Sequence, residues 1–196
     1  MSIIAVDLAA KFSAVCRMDW QGNVRDEFDS WGRDETQFVD MITAPWIHPD
    51  PPYALVIEDL PHAVRYMQIT KNVCRLQGRI IERMNYYGAG EHVLFVPPYE
   101  WRKTYPGLET GTGAEAVVPV AGRLGYTLPD LSHRILRAGD RATAKKVATD
   151  YCAAFLIARW VLEQRAIHGS FDIPGISRHG DPIVTRPRKK KSREKK

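Results

Sequence analysis

Two acidic residues directly follow apolar runs in the first third of the chain. Asp7 ends the run that begins at Ser2, and Glu58 ends the run over residues 53–57. Short runs of β-branched and apolar residues are typical of buried strands. We therefore expect the two carboxylates at one edge of a sheet, where they need a cation as partner. For Asp7 alone an exposed strand-end acid is the simpler interpretation, and Glu58 at an equivalent strand end argues against it.

A third acid, Asp150, lies in a long C-terminal stretch with helical character. Hard divalent cations such as Mg²⁺ and Mn²⁺ prefer carboxylate oxygens as ligands. Three carboxylates that come from separate segments of the chain therefore predict a metal site.

The composition is that of an ordinary globular protein, with 196 residues, 44% of them hydrophobic and 26% charged. This length is enough for one domain with a full core. No apolar stretch approaches the roughly 20 residues that span a bilayer, and no signal-like segment opens the chain, so we expect a cytoplasmic protein without membrane contact. The three cysteines are too widely spaced for a zinc knuckle or a disulfide framework, and we expect all of them to be buried.

The positive charge is concentrated at the C-terminus. Residues 186–196, here called the basic tail, contain eight of the 28 basic residues and one of the 23 acidic residues. The rest of the chain is therefore slightly acidic. A block of like charge has nothing to bury and usually binds a polyanion, so nucleic acid is the first candidate partner, through residues such as Arg188, Lys189, Lys190 and Lys191. A merely solubilising tail is the alternative.

The elements that would position the three acids follow an α/β order. Strands are predicted near 2–8, 12–20, 24–31, 53–58 and 92–96, and helices near 34–44, 63–87, 114–125 and 141–167. Gln21-Gly22-Asn23 predicts a hairpin turn, so the first three strands form an antiparallel meander. Asp34 is expected to cap the first helix. We place one domain at residues 1–168, with a linker and the basic tail at 169–196.

This order and four short motifs resemble the RuvC-like Holliday junction resolvases of the ribonuclease H-like superfamily. The motifs are Asp7-Leu-Ala-Ala-Lys11-Phe-Ser13, Ile57-Glu58-Asp59, Leu76-Gln-Gly-Arg79, and Asp150-Tyr-Cys-Ala-Ala-Phe-Leu-Ile-Ala. The resemblance covers roughly residues 2–165. It implies a mixed five-stranded sheet, with three meander strands and then parallel strands, flanked by helices and followed by a long C-terminal helix. It also implies that the protein is located in the cytoplasm of a bacterium or of a phage-infected host cell.

The resemblance implies metal-dependent cleavage of branched DNA by phosphodiester hydrolysis. Two Mg²⁺ or Mn²⁺ ions would be held by Asp7, Glu58 and Asp150, with Asp7 as the bridging ligand. The family usually has a fourth ligand three residues before the helix acid, where this chain has Val147. Lys146, one turn before Asp150, would then face the site, and we predict that it supports catalysis; a solvated lysine is the alternative.

Basic residues supply candidate DNA contacts. Lys11 matches a basic position of the family's first motif, and Arg102 and Lys103 lie where the family has a DNA-binding lysine. Lys71, Arg75, Arg79 and Arg83 recur every fourth residue on the second helix, which in the family forms a homodimer interface. This stripe predicts either a DNA path, through Lys71 and Arg75, or a solvated helix face.

Aromatic residues bear on the choice of substrate. Trp101 and Tyr105 are predicted to stack on an unpaired base or, as is commoner beside proline, to pack in the core. The bacterial resolvases have an aromatic wedge three residues after the strand-end glutamate, where this chain has Pro61. Cleavage of branched DNA other than four-way junctions therefore stays open. The alternatives are a nuclease acting on structured RNA and a nucleic-acid-binding module without catalysis; a sugar kinase is disfavoured because Ala9-Ala10 supplies no phosphate-binding glycine.

Overall fold

A computed structural model describes residues 1–9, 12–30, 33–59, 67–108, 113–131 and 141–181, with the side chains of 67–70 and 141–144 left out. Its strands are β1 (Ser2–Asp7), β2 (Ala14–Asp19), β3 (Val24–Asp29), β4 (Ala54–Glu58), β5 (Val93–Val96) and β6 (Ser177–Arg178). Its α-helices are α1 (Glu35–Thr43), α2 (Met67–Tyr86), α3 (Pro98–Arg102), α4 (Val117–Arg123) and α5 (Arg141–His168). Short 3₁₀ turns cover Ala44–Ile47, Gly90–His92 and Ala114–Ala116.

The six strands form one mixed sheet in the order β3-β2-β1-β4-β5-β6. The first three strands are an antiparallel meander, and Gly22, with φ of 84°, supplies the positive φ of the predicted turn between β2 and β3. β4 pairs parallel with β1, and β5 pairs parallel with β4. The carboxyl ends of these three parallel strands therefore lie along one edge of the sheet.

Helices cover both faces of the sheet, because side chains alternate between the two faces along each strand. Ile4, Val6 and Ile57 face α1 and α2. Ile3, Ala5 and Val56 face the other way, toward α4 and α5. Residues 151–158 of α5 are all buried, because the helix lies between the sheet and α4.

The predicted N-cap of α1 is confirmed. Asp34 accepts a hydrogen bond of 2.8 Å from the Gln37 amide, and the Gln37 side chain accepts one of 3.2 Å from the Asp34 amide. This capping box satisfies two of the amide groups that a helix leaves unpaired at its start.

Three sequence expectations need correction. The sheet has a sixth strand, β6, because residues beyond Gly169 pair with β5, and Phe171 and Ile173 are buried in the core. A helix, α3, begins at Pro98, in a stretch for which no helix was predicted between the strand near 92–96 and the helix near 114–125; proline is favourable at the first helical position. Cys74 is exposed on α2, whereas Cys16 and Cys152 are buried as expected.

No helix in the described part of the chain is both long and apolar enough to cross a membrane.

Candidate active site

Two of the predicted site residues come together at the ends of β1 and β4. The parallel register pairs Val6 with Ile57, so that Asp7 and Glu58, which follow them, leave the sheet side by side. Their side chains share a hydrogen bond. Burial and the adjacent charge of Glu58 raise the pKa of Asp7 well above its ordinary value. Positive charge beside the pair would favour ionisation of both carboxyls.

The third acid reaches the same place from α5. Asp150 is 4% exposed, and burial together with the charge of Asp7 raises its pKa to about 7. The charge of Asp150 in turn raises the pKa of Glu58. Mutual repulsion of this kind requires that the three carboxyl groups lie close to one another. The structure thus brings together all three acids that the sequence singled out.

Lys146 lies one helical turn before Asp150 and contacts it directly. Its Nζ is 3.3 Å from Oδ1 and 3.4 Å from Oδ2 of Asp150. The lysine charge lowers the pKa of both Asp7 and Asp150 and so opposes the effect of burial. Val147, at the position of the family's fourth ligand, is 3% exposed and packs in the core, so it supplies no donor atom.

The donor set fits a hard divalent cation, because it consists of two buried carboxylates and one half-buried carboxylate whose joint ionisation needs positive charge nearby. As the side chains stand, no group of three or more His, Cys, Asp or Glu residues among the described residues has the arrangement that holds a metal ion. The Lys146 ammonium lies within 3.4 Å of both oxygens of Asp150. A metal ion bound by Asp150 would therefore displace this ammonium group.

Helix α3 adds two residues to the site. The indole Nε1 of Trp101 donates a hydrogen bond of 2.9 Å to Oε1 of Glu58. The charge of Arg102 acts to lower the pKa of both Asp7 and Glu58, and its guanidinium lies 5.5 Å from the centre of the Trp101 ring. The contact of Trp101 with Glu58 was not predicted. The signal for it was the position of Trp101, just beyond the strand that pairs with β4.

The aromatic residues of this region pack in the core. Trp101 is 1% exposed and Tyr105 is 6% exposed. Neither ring has a free face for an unpaired base, so the packing interpretation is correct and the stacking interpretation is wrong.

The chain returns from β1 to β2 through a loop beside Asp7. The Ser13 hydroxyl accepts a hydrogen bond of 3.1 Å from the Ala9 amide and donates one of 3.2 Å to the Ala9 carbonyl oxygen. Ser13 is buried and ties the described ends of this loop together. Lys11, predicted to contact DNA from this loop, lies outside the described residues.

The basic stripe on α2 runs along α1 and pairs with it. Arg75 and Arg79 form ion pairs of 2.7 and 2.9 Å with Glu35, and Arg83 forms one of 3.0 Å with Asp40. Most of the stripe therefore contacts acids of the same chain. Lys71 is exposed.

The remaining predicted DNA contacts have different surroundings. Lys103 is exposed and is paired with Glu100 within the chain. Arg188, Lys189, Lys190 and Lys191 in the basic tail lie outside the described residues, as does Pro61. The DNA-binding role of all these residues stays a prediction.

No protein-family model matches this chain, and no curated protein is significantly similar to it in sequence. Solved structures are similar in fold. RuvC of T. thermophilus in complex with a Holliday junction substrate superimposes with a TM-score of 0.54 at 14% identity, over 87% of this chain and 97% of that chain. A second structure of Thermus thermophilus RuvC gives a TM-score of 0.55 at 17% identity, over 87% and 98% of the two chains. The predicted fold is thus confirmed, with six strands in place of five: this chain has a RuvC-like, ribonuclease H-like fold.

Proposed function

We propose that this protein is a metal-dependent endonuclease that cleaves branched DNA, Holliday junctions in particular, by phosphodiester hydrolysis. The observation that carries the proposal is the convergence of Asp7, Glu58 and Asp150, all from separate elements, at one edge of the sheet. The RuvC-like fold, seen in a structure of RuvC bound to a Holliday junction substrate, supports a nuclease of that type.

The three carboxylates of Asp7, Glu58 and Asp150 would hold two Mg²⁺ or Mn²⁺ ions. When bound, the ions would supply an activated water and charge stabilisation for the leaving oxygen of the phosphodiester. Lys146 has a side chain that is 46% exposed, so its ammonium can turn from Asp150 toward a DNA phosphate. In that position it would balance the charge that develops on the phosphate during hydrolysis.

DNA would approach the side of the site where Arg102 lies. The positive charge of Arg102 acts on Asp7 and Glu58. The same charge would attract a DNA phosphate that binds next to these two carboxylates. We propose a homodimer, because two equivalent sites suit paired cuts in the symmetric arms of a junction. Light scattering during gel filtration tests this directly, since a monomer at micromolar concentration contradicts it.

Two alternatives keep the fold and differ in chemistry. A nuclease for structured RNA would use the same carboxylates, and only the substrate separates it from the DNA nuclease. A binding module without catalysis would not need three acids whose charges act on one another, because their repulsion destabilises the folded chain.

The deciding experiment is a cleavage assay with Mg²⁺ or Mn²⁺ on a four-way DNA junction, a fork, a flap, a linear duplex and a structured RNA. We expect cleavage of the branched DNAs by the wild type and none by Asp7→Asn or Glu58→Gln. Asp19→Asn is the matched control, since Asp19 also ends a buried strand but pairs with Ser2 at the opposite edge of the sheet. Equal cleavage by all four proteins rejects the proposed site, and cleavage of RNA alone favours the first alternative.

A further inference from the structure

Trp101 lies on α3, the helix that follows β5, and β5 pairs with the strand that ends at Glu58. Glu58 lies opposite Val96 in the sheet, and α3 begins at Pro98, two residues later. The Trp101 indole is 1% exposed, and its Nε1 lies 2.9 Å from Oε1 of Glu58. The acceptor therefore ends β4, and the donor lies on the helix that directly follows the paired strand β5.

The segment after α3 is fixed to α5. The indole Nε1 of Trp160 donates a hydrogen bond of 3.0 Å to Oγ1 of Thr104. The hydroxyl group of Tyr105 lies 3.4 Å from the carbonyl oxygen of Leu156 and 3.3 Å from Oε2 of Glu163. Trp160 and Tyr105 are both buried. The residues that follow α3 are therefore anchored on α5, and the Trp101 indole is itself enclosed by the core.

We propose that Trp101 is a positioning residue that holds the Glu58 carboxylate in one orientation for a divalent cation. This inference rests on the metal-dependent function proposed above. An indole N–H is a donor only and cannot itself bind a metal. It takes one direction of Oε1 and donates no hydrogen bond to Oε2 of Glu58. Because the indole is neutral, it does not compete with a cation for the carboxylate, as an ammonium group does.

Burial of the indole alone does not explain this contact. Trp160 is equally buried, and a neutral hydroxyl group satisfies its N–H. The Trp101 N–H instead meets the carboxylate of Glu58, which leaves the sheet beside Asp7. The contact thus fixes one oxygen of a proposed metal ligand, which the contact between Trp160 and Thr104 does not.

The test compares Trp101→Phe with Trp160→Phe, which removes an indole hydrogen bond of nearly the same length away from the acids. Binding of Mn²⁺ is measured by calorimetry without DNA, and thermal unfolding is measured in parallel. We expect both variants to lose thermal stability. Only Trp101→Phe should lose Mn²⁺ affinity, by about tenfold or more, as is usual when a group that orients a ligand is removed. Equal Mn²⁺ affinity in the two variants overturns the proposal.

A failure of the proposed function is recognisable separately, because the wild type would then bind no Mn²⁺ at all, and the inference would fail with it. If Trp101→Phe does not fold, the wild type still provides a test through the NMR signals of its indole N–H groups. Saturating Mg²⁺ should move the Trp101 signal and leave that of Trp160 in place. A Trp101 signal that stays fixed while Mg²⁺ binds overturns the proposal.

Discussion

The ammonium group of Lys146 lies 3.3 and 3.4 Å from the two carboxylate oxygens of Asp150, across one turn of α5. The lysine thus takes the place beside Asp150 that a metal ion would need. Lys146 is 46% exposed at its side chain and Asp150 is 6% exposed, so the lysine can leave while the acid stays. Asp7 and Asp150 are both buried, and their ionisation without such a cation would be costly, which gives Lys146 a role in the metal-free protein as well.

Metal affinity should rise with pH. Burial and the charge of Asp7 raise the pKa of Asp150 to about 7, and a metal binds only the ionised carboxylate. Below this pH each ion must displace a proton, so we expect Mn²⁺ affinity to increase by about tenfold per pH unit from pH 5.5 to 7 and to flatten above it. Calorimetry across this range measures the dependence.

The Lys146→Met variant provides the control for this dependence. Because the lysine lowers the pKa of Asp150, its removal should move the rise in affinity to higher pH. An Mn²⁺ affinity that is the same at pH 5.5 and pH 8 in the wild type would show that Asp150 is not a ligand.

Replacing Asp7 should stabilise the metal-free protein. The folded pKa of Asp7 is above its unfolded value of 3.8, so the folded state binds more protons and its stability falls as pH rises above about 4. In Asp7→Asn the amide can still donate to Glu58 and carries no charge. We expect it to unfold at a higher temperature than the wild type at pH 8 in EDTA, with a gain on the order of 1–3 kcal/mol. The difference should disappear near pH 4.

Asp19→Asn should have the opposite effect. Burial acts to raise the pKa of Asp19, but hydrogen bonds from Asn23 and Gln21 and the charge of Arg25 lower it on balance. Such a group stabilises the folded state above its unfolded pKa, and this contribution is lost as pH falls. Asp19→Asn should therefore unfold below the wild type at pH 8. If the two variants shift the unfolding temperature in the same direction, the charge-based explanation for Asp7 is wrong.

The position of the acids could be predicted because it depends on local patterns and one topological rule. The apolar runs before Asp7 and Glu58 identify buried strands, and a parallel pair places both strand ends at one edge of the sheet. Asp150 could be predicted from the long uninterrupted helix. These signals need only a few neighbouring residues each.

The parts that were missed depend on contacts between distant segments. β6 is a two-residue strand, too short for any periodic pattern, and it exists because β5 offers an edge. The pairing of Arg75 and Arg79 with Glu35 requires that α1 pack beside α2, which no spacing within either helix reveals. The bond from Trp101 to Glu58 joins residues 43 positions apart.

Deleting the basic tail should weaken DNA binding without changing the chemistry. Residues 186–196 carry eight basic side chains, and each phosphate contact contributes about 0.9 to the slope of log affinity against log salt. We expect a smaller slope for binding in Ca²⁺, and an unchanged cleavage rate at saturating DNA. A neutral tail of equal length is the control for chain length. The same slope with either tail would mean that these residues do not contact DNA.

A comparison of Arg102→Gln with Lys103→Gln should show whether DNA is bound next to the three acids or by surface charge in general. The Arg102 charge acts on Asp7 and Glu58, whereas the Lys103 ammonium is paired with Glu100. We expect Arg102→Gln to weaken junction binding in Ca²⁺ and to lower the salt slope by about one, with less than half of that effect for Lys103→Gln. Fluorescence anisotropy at several salt concentrations measures both. Because removing Arg102 also raises the pKa of Asp7 and Glu58, cleavage by that variant should need a higher pH than cleavage by the wild type. An equal loss of affinity in the two variants would place the DNA path away from the three acids.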